Sequence, residues 1–250
     1  MGLTVHPLEL GSNVADSSFV VFGWNPGKTL RVASLSYLIL GSDTPIMVDT
    51  SYRNAAELNA STGFEFAEPT REQTLERQLA RYDLRPEDIG VLINTHLHSD
   101  HTGKVDQLPN ARIVVQRKEL QYAAAPYFAV AAYNRVEIAK YMGPLYDRIE
   151  FIEERDGDRE VAPGVTVAWT GGHSPGHQIV YAELSSGPAI ITGDLVLRKN
   201  PGFDMQIPPG HITDLGECMI GLARIKRDAK HVLPMHDPNV LVEYPDGVIN

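Results

Sequence analysis

The hydrophobic positions of this chain fall into short apolar runs rich in branched and aromatic residues. Such runs predict strands at residues 4–9, 18–22, 32–40, 45–49, 91–94, 112–115, 149–154, 165–169, 179–184, 189–192 and 232–235. The first four are joined by tight turns without a helix between them, which predicts an antiparallel opening sheet. The later strands alternate with helical segments, and this order is typical of an α/β fold.

Helical spacing appears in three segments. Leu75, Leu79 and Tyr82 predict a helix over residues 70–82, with Thr70 as its cap. Another helix is predicted over 212–228, beginning at Thr213 or Asp214. Residues 117–147 are mostly helical in pattern, with interruptions near Pro126 and Pro144, and they hold half of the ten tyrosines. These aromatics are interpreted either as core packing or as a lid or wall beside a pocket, and they could equally support a homodimer.

Composition narrows the class of protein. The 250 residues fit a single domain over 1–250, and a net charge of −10 argues against nucleic acid as the main partner. No apolar stretch approaches the length of a membrane span, and the N-terminus lacks the pattern of a secretory signal. The single Cys218, inside a predicted helix, cannot form an internal disulfide. We therefore expect a cytoplasmic protein that crosses no membrane.

The richest chemistry lies in Thr95-His96-Leu97-His98-Ser99-Asp100-His101, directly after the apolar run 91–94. Alternate side chains of an extended segment point to the same side, so His96 and His98 are predicted to leave the strand end together. Asp100 and His101 lie where the chain must turn before Gly103. This stretch predicts the first half of a two-metal site.

Other predicted strands also end in possible ligands, at His173, Asp194 and His236. Strand ends at one rim of a sheet converge in space even when they are distant in sequence. Asp49 also ends a strand and is interpreted either as a carboxylate that orients a ligating histidine or as a simple turn residue. The predicted metal ligands are His96, His98, Asp100, His101, His173, Asp194 and His236.

Nitrogen and carboxylate ligands without thiolate favour Zn²⁺, and also suit Fe²⁺, Mn²⁺ or Co²⁺. Seven ligands exceed the needs of one ion and suit two divalent ions that share a carboxylate. His177, next to this set, is predicted to pack or hydrogen-bond rather than ligate. His211 could border the pocket, but a surface role is expected.

Taken together, His-x-His-x-Asp-His at 96–101, His173 before Ser-Pro-Gly, Gly-Asp at 193–194 and the late His236 resemble the metallo-β-lactamase superfamily. The resemblance covers nearly the whole chain and is closest to its N-acyl-homoserine lactone lactonase group, through Ile-Met-Val-Asp-Thr at 46–50 and Ser-Pro-Gly-His-Gln at 174–178. It implies an αβ/βα four-layer sandwich with two mixed β-sheets. By the same resemblance, His96, His98 and His173 would hold one ion, Asp100, His101 and His236 the other, and Asp194 would bridge them.

The implied activity is hydrolysis of the ester bond of a small-molecule lactone. Two ions lower the pKa of a bound water and polarise a carbonyl, while Asp100 or Asp194 could pass a proton to the leaving oxygen. Lactonases of this group carry a tyrosine three positions after the bridging aspartate, and here Leu197 occupies that position. Either another group replaces the tyrosine, such as one from 122–146, or the substrate differs from an acyl-homoserine lactone.

Four alternative functions stay open at this point. A thioester hydrolase resembling glyoxalase II would need basic residues for a glutathione carboxylate, and Arg198-Lys199 is the one adjacent basic pair near the predicted site. An RNA-processing nuclease is disfavoured by the acidic chain. A non-catalytic sensor would be expected to have lost ligands. A di-iron reductase of oxygen or nitric oxide would carry a flavin-binding segment and an acid in place of His98.

Overall fold

The computed structural model describes residues 2–62, 64–128 and 130–250 and arranges their strands in two mixed sheets. The larger sheet has the order β4-β1-β2-β3-β5-β6-β7 and the smaller one β12-β11-β10-β9-β8. The strands of the larger sheet are β1 Thr4–Asp16, β2 Thr29–Leu40, β3 Ile46–Val48, β4 Glu65–Phe66, β5 Val91–Ile93, β6 Arg112–Gln116 and β7 Ile149–Ile152. Those of the smaller sheet are β8 Arg159–Ala162, β9 Val165–Trp169, β10 Gln178–Leu184, β11 Gly187–Ile191 and β12 His231–Leu233.

Both sheets combine parallel and antiparallel pairs, as the sequence resemblance implies. In the larger sheet β1, β2 and β3 are antiparallel, whereas β3, β5, β6 and β7 run parallel. In the smaller sheet only the pair β11–β12 is parallel. The carboxyl ends of β3 and β5 therefore meet at one edge of the first sheet, and those of β9, β11 and β12 meet at one edge of the second.

The helices are α1 Ser17–Val20, α2 Ala55–Thr62, α3 Leu75–Ala80, α4 Ser99–Thr102, α5 Arg117–Ala124, α6 Arg135–Tyr141, α7 Leu215–Asp228 and α8 Asn239–Glu243. Helices α3, α5 and α6 cover the outer face of the larger sheet, and α7 covers that of the smaller one. Short 3₁₀ turns connect several of them. Polar side chains cap the starts of α6 and α7: Asn134 accepts a hydrogen bond from Val136 N at 2.8 Å, and the Asp214 carboxylate accepts one from Glu217 N at 2.8 Å.

Successive side chains of a strand point to opposite faces of the sheet, so each sheet can pack against the other sheet on one face and against helices on the other. In β10, Val180 and Ala182 face the core between the two sheets, whereas Ile179 and Tyr181 face the opposite way, toward α7. The outer face of the larger sheet packs against α3, α5 and α6 in the same manner. The order helix, sheet, sheet, helix is the predicted αβ/βα sandwich.

The structure corrects two local predictions. Residues 18–22 are not a strand: Ser17–Val20 form a helical turn, because the Asp16 carboxylate accepts a hydrogen bond from Ser18 N at 2.8 Å. The helix predicted over 70–82 is shorter, since Arg71–Gln73 form a 3₁₀ turn and Thr74, rather than Thr70, caps α3. The predicted segment 117–147 divides into α5, α6 and 3₁₀ turns, with residue 129 outside the described residues.

Candidate metal centre

The predicted ligands are contributed by both sheets. His96 follows β5, His98 and Asp100 lie at the start of α4, and His101 is inside that helix. His173, Asp194 and His236 follow β9, β11 and β12 of the other sheet. The structure therefore brings together, at facing sheet edges, residues that are up to 140 positions apart in sequence.

Possible ligand atoms form two groups, and within each group they lie within 4.8 Å of one another. One group contains His96, His98, His173 and Asp194, and the other contains Asp100, His101 and His236. Apart from the partly buried Asp100, all of these side chains are buried. The two groups together contain all seven residues predicted as ligands.

Asp194 lies between the two groups and presents one carboxylate oxygen to each. Its Oδ2 is 3.4 Å from His173 Nε2 and 3.9 Å from His96 Nε2. Its Oδ1 is 3.1 Å from His236 Nε2 and 3.2 Å from His101 Nε2. A carboxylate in this position can be shared by two cations.

The hydrogen bonds of the histidines fit a metal site. His173 Nδ1 donates to the His211 carbonyl at 2.8 Å, and His236 Nδ1 donates to the Ala33 carbonyl at 2.7 Å. His101 Nδ1 donates to the Asp49 carboxylate at 2.8 Å. A histidine that donates through one ring nitrogen turns the lone pair of the other toward its ligand.

Ring nitrogens of the first group crowd together at the site. His96 Nε2 is 3.0 Å from His98 Nδ1, and His173 Nε2 is 3.1 Å from that same atom. Asp194 Oδ1 is buried and has no hydrogen-bond partner among the described residues. Crowded acceptors of this kind are stabilised by a cation, so the donor set suits two divalent metal ions.

The pKa values of the histidines also favour a bound cation. Burial lowers the pKa values of His96, His98 and His173 well below the usual range, which keeps these rings neutral and able to ligate. Burial also opposes the charge of His101, yet Asp194, Asp100 and Asp49 raise its pKa well above normal. The surplus of carboxylates thus attracts positive charge, which a metal ion would supply.

Asp49 has the contacts of an orienting residue rather than of a turn residue alone. Besides His101, its carboxylate accepts hydrogen bonds from Thr95 N at 2.8 Å and Thr95 Oγ1 at 2.6 Å. The Thr95 hydroxyl in turn lies 3.0 Å from His96 Nδ1. One buried carboxylate therefore touches a histidine of the second group and, through Thr95, a histidine of the first.

His177 packs behind Asp194 and makes the hydrogen bonds that were expected of it. Its Nε2 accepts from Asp194 N at 3.1 Å, while Nδ1 lies 2.7 Å from Thr170 Oγ1. Burial lowers the pKa of His177 to about 3, so the ring stays neutral and Nε2 can accept. Gly193 has φ +50°, and a Cβ there would lie 2.5 Å from His177 Nε2, so this close approach requires glycine.

Glu119 was missed by sequence reasoning. It is buried in the first turn of α5 and accepts hydrogen bonds from Leu97 N at 3.0 Å, Ser174 Oγ at 2.8 Å and Gly176 N at 2.9 Å. The Tyr133 hydroxyl donates to it at 3.1 Å, and the Tyr133 ring lies 4.7 Å from that of His98. A glutamate early in a helix carries no sequence signal for such a role, because its partners come from distant loops.

A cavity of about 230 Å³ opens onto the ligand groups. Its wall is mainly apolar and includes Ala131 and Ala132 of the segment 117–147. Tyr133 and Tyr141 of that segment are buried, whereas Tyr127 and Phe128 are exposed. The wall is formed by Asn13, Ala15, Phe19, Val20, Val32, Leu58, Thr62, Phe64, Phe66, His98, Ser99, Asp100, Ala131, Ala132, His173, Asp194, Leu197, His211 and His236.

Leu197 is part of this wall and packs against Val20, Val21 and Val32. No tyrosine lines the cavity within the described part of the chain, so a tyrosine from 122–146 does not replace the missing one there. His211 also lines the cavity, with its ring 5.2 Å from that of His173, and the expectation of a surface role was wrong.

The basic pair that would favour a glutathione thioester is engaged elsewhere. Arg198 Nη1 lies 3.5 Å from Asp237 Oδ1, and Arg198 Nη2 donates to the Arg31 carbonyl at 2.6 Å. Lys199 Nζ pairs with the Glu243 carboxylate. Neither residue lines the cavity. Cys218 is buried in α7 and does not belong to either ligand group.

Within the described residues, no helix has both the length and the apolar character needed to cross a membrane.

Comparison with known proteins agrees with this geometry. The family model described as the metallo-beta-lactamase superfamily matches residues 30–236. An N-acyl homoserine lactonase of Bacillus cereus is 35% identical over 227 residues, covering 84% of this chain and 86% of that protein. N-acyl homoserine lactonase AiiA of Bacillus thuringiensis subsp. kurstaki is 32% identical over 209 residues, covering 80% and 78%.

Among solved structures, an N-acyl homoserine lactone hydrolase with N-hexanoyl-L-homoserine bound at its catalytic metal centre superposes with a TM-score of 0.81 at 27% identity. The match covers 97% of each chain. Together with the two sheets and the converging ligand groups, these matches establish that the chain belongs to the metallo-beta-lactamase superfamily, where it groups with the N-acyl homoserine lactonases.

Proposed function

We propose that this protein is a dinuclear metal-dependent hydrolase that opens the ester bond of a lactone, with N-acyl homoserine lactones as the leading substrates. The observation that carries the proposal is the position of Asp194 between two groups of possible metal ligands that line an apolar cavity. The relatives that share most of the chain's length are lactonases of this kind, which supports the same substrate class.

We assign the first ion to His96, His98 and His173 and the second to Asp100, His101 and His236, with Asp194 shared. Zinc is the metal we propose, because imidazole and carboxylate ligands without thiolate suit it. When bound, the two ions would lower the pKa of a water molecule and polarise the ester carbonyl.

The residues of the chain have separate tasks in this proposal. Burial raises the pKa of Asp194, but His236 and His101 hold it well below the usual range, so this carboxylate stays ionised and keeps both ligand groups together. The Asp100 side chain is 21% exposed, against 8% for Asp194. Asp100 is therefore the carboxylate better placed to pass a proton between the attacking water and the leaving alcohol oxygen.

The cavity wall excludes water from one side of the substrate and packs against its substituent. Leu58, Phe64, Phe66 and Leu197 provide apolar surface there. Neutral lactones of this type carry no charge that an acidic protein would repel, and we propose no nucleic acid partner.

We further propose a cytoplasmic enzyme in which residues 1–250 act as one domain. The support for the location is a lone, buried Cys218 in a fold held together by its apolar core. A homodimer is supported by exposed apolar side chains in the segment 117–147, namely Tyr127, Phe128, Val136, Met142 and Tyr146.

The experiment is ring opening, followed as proton release, across a panel of lactones. The panel contains short- and long-chain acyl-homoserine lactones, simple γ- and δ-lactones and aromatic lactones. The thioester S-lactoylglutathione, whose hydrolysis also releases a proton, is assayed beside them. Zinc-, cobalt- and manganese-loaded protein is compared with the variant His98→Ala, whose metal content is measured in parallel. We expect turnover of acyl-homoserine lactones that the variant loses. Turnover of the thioester alone would overturn the proposal.

A further inference from the structure

Asn13 is a polar residue in an otherwise apolar part of the cavity wall. It lies in β1, paired with Val32 of β2 and Phe66 of β4. The residue is 9% exposed and lines the cavity together with those two partners and with Ala15, its neighbour on the same strand face. The surroundings therefore offer the Asn13 carboxamide mostly hydrocarbon.

The Asn13 carboxamide has no hydrogen-bond partner among residues 2–62, 64–128 and 130–250. Asn94, another buried asparagine, shows the usual arrangement: its Oδ1 accepts from the Tyr141 hydroxyl at 2.8 Å, and its Nδ2 lies 3.4 Å from Asp49 Oδ1. The Asn13 amide nitrogen and oxygen are not among the fully buried side-chain atoms that lack a partner, so they are accessible from the cavity. A carboxamide in this position is satisfied by water or by a ligand. Because Asn13 faces the cavity, a ligand can supply both missing hydrogen bonds.

The position of Asn13 relative to the metal groups indicates which part of the ligand it meets. Val32, opposite Asn13, precedes Ala33, whose carbonyl accepts from His236 Nδ1 at 2.7 Å. Strand β2 thus lies between Asn13 and the proposed metal ligand His236. Asn13 also lines the same cavity as Asp100 and Asp194. The same cavity would hold a substituent of the lactone ring when the ester lies at the ligand groups, so Asn13 is part of the wall that faces this substituent.

We propose that Asn13 is a specificity-determining residue that pairs with an amide attached to the lactone ring. Its Nδ2–H donates to the amide carbonyl of the substrate, and its Oδ1 accepts from the amide N–H. A secondary amide offers one N–H donor and one carbonyl acceptor, so it can pair with both the oxygen and the NH₂ group of a carboxamide. This inference rests on the proposed lactonase function and assigns to Asn13 the choice between amide-bearing and purely alkyl lactones.

The test compares two substrates of similar size on three proteins loaded with the same metal. The substrates are N-hexanoyl-homoserine lactone, which carries the amide, and an alkyl γ-lactone with a chain of matching length. The proteins are the wild type, Asn13→Leu and the control Thr62→Val. Thr62 also lines the cavity, but its hydroxyl already donates to the Leu58 carbonyl at 2.7 Å.

We expect Asn13→Leu to raise KM for the amide substrate by at least about ten-fold and to leave KM for the alkyl lactone unchanged or lower, since an unpaired polar group strongly selects its partner. Thr62→Val should change KM for the two substrates by the same factor. Asn13→Ala should show the same preference, which separates lost pairing from a fold damaged by leucine; metal content and the urea midpoint are measured for each variant.

Equal effects of Asn13→Leu and Asn13→Ala on both lactones, or no effect on either, would overturn the inference while leaving lactone hydrolysis intact. Wild-type protein that opens only the alkyl lactone would overturn amide recognition in the same way. Wild-type protein that opens neither lactone would refute the proposed function, and the inference with it.

Discussion

Replacing Asp49 by asparagine isolates the role of the carboxylate that lies behind the metal ligands. Asparagine has nearly the same shape and tolerates the left-handed backbone of this position, where φ is +56°. Asp49 Oδ1 accepts from Thr95 N at 2.8 Å, and Oδ2 accepts from Thr95 Oγ1 at 2.6 Å and from His101 Nδ1 at 2.8 Å. An amide has one oxygen, so its NH₂ group must face at least one of these donors.

The size of the effect follows from that mismatch. A hydrogen bond to a buried charged group contributes about 1.5–3 kcal/mol, and an opposed donor is left unsatisfied. We therefore expect Asp49→Asn to lower the free energy of unfolding of the metal-free protein by about 2–3 kcal/mol. Loss of the partner that orients His101 should weaken metal binding by about 10–100-fold, as is usual for such partners.

Two assays test this expectation. Competition with a fluorescent chelator gives the metal affinity, and urea unfolding of the metal-free protein gives the stability. Asp43→Asn, the same change at an exposed turn position, is the matched control and should leave both values unchanged. If Asp49→Asn bound metal as tightly as the wild type, Asp49 would not orient His101 for metal binding.

Three other predictions use different parts of the site. Glu119→Gln should lower the metal affinity of the first ligand group more than that of the second, because Glu119 joins the loops that carry His98 and His173. The absorption bands of cobalt-loaded protein would report this change, and an unchanged spectrum would refute it. Gly193→Ala should lower both the urea midpoint and the zinc content, since its Cβ would lie 2.5 Å from His177 Nε2; a variant with wild-type values would contradict the observed packing. Between about pH 6.5 and 5.5, metal-free protein should lose stability as pH falls, because histidines with lowered folded pKa values take up protons only on unfolding. His101 and His236, whose pKa values are raised, carry their protons in the folded state in this range and do not reverse the trend. Urea midpoints at pH 6.5 and 5.5 test this, and a higher midpoint at pH 5.5 would contradict it. The histidines with lowered pKa values are fully buried: His96, His98, His173 and His177.

The sequence predicted most of the strands because burial on both faces leaves continuous apolar runs such as 91–94 and 189–192. Strand ends also indicated that His96, His173, Asp194 and His236 could converge, because residues that follow aligned strands share one rim. His173 and His236 could be chosen on that ground although nothing local connects them. The division of the ligands into two groups was implied by the resemblance to the metallo-β-lactamase superfamily.

Other features could not be read from the sequence, because their cause is distant along the chain. Glu119 looks like an ordinary helix residue until its partners from the loops at 97 and 174–176 surround it. His211 borders the cavity because its carbonyl is fixed by His173 Nδ1. The helical turn at 17–20 depends on a local hydrogen bond of Asp16 that apolar periodicity does not detect.

The distribution of the ligands over two sheets has a consequence for folding. The first ligand group contains His96 and His98 from the larger sheet and His173 and Asp194 from the smaller one, so neither sheet alone forms it. Each ion would act as a cross-link between segments that meet only after the two sheets have packed together. Metal uptake would then be a late event in folding, and a partly unfolded chain would release both ions at once. The rate of metal loss would thereby measure how often the two halves of the sandwich separate.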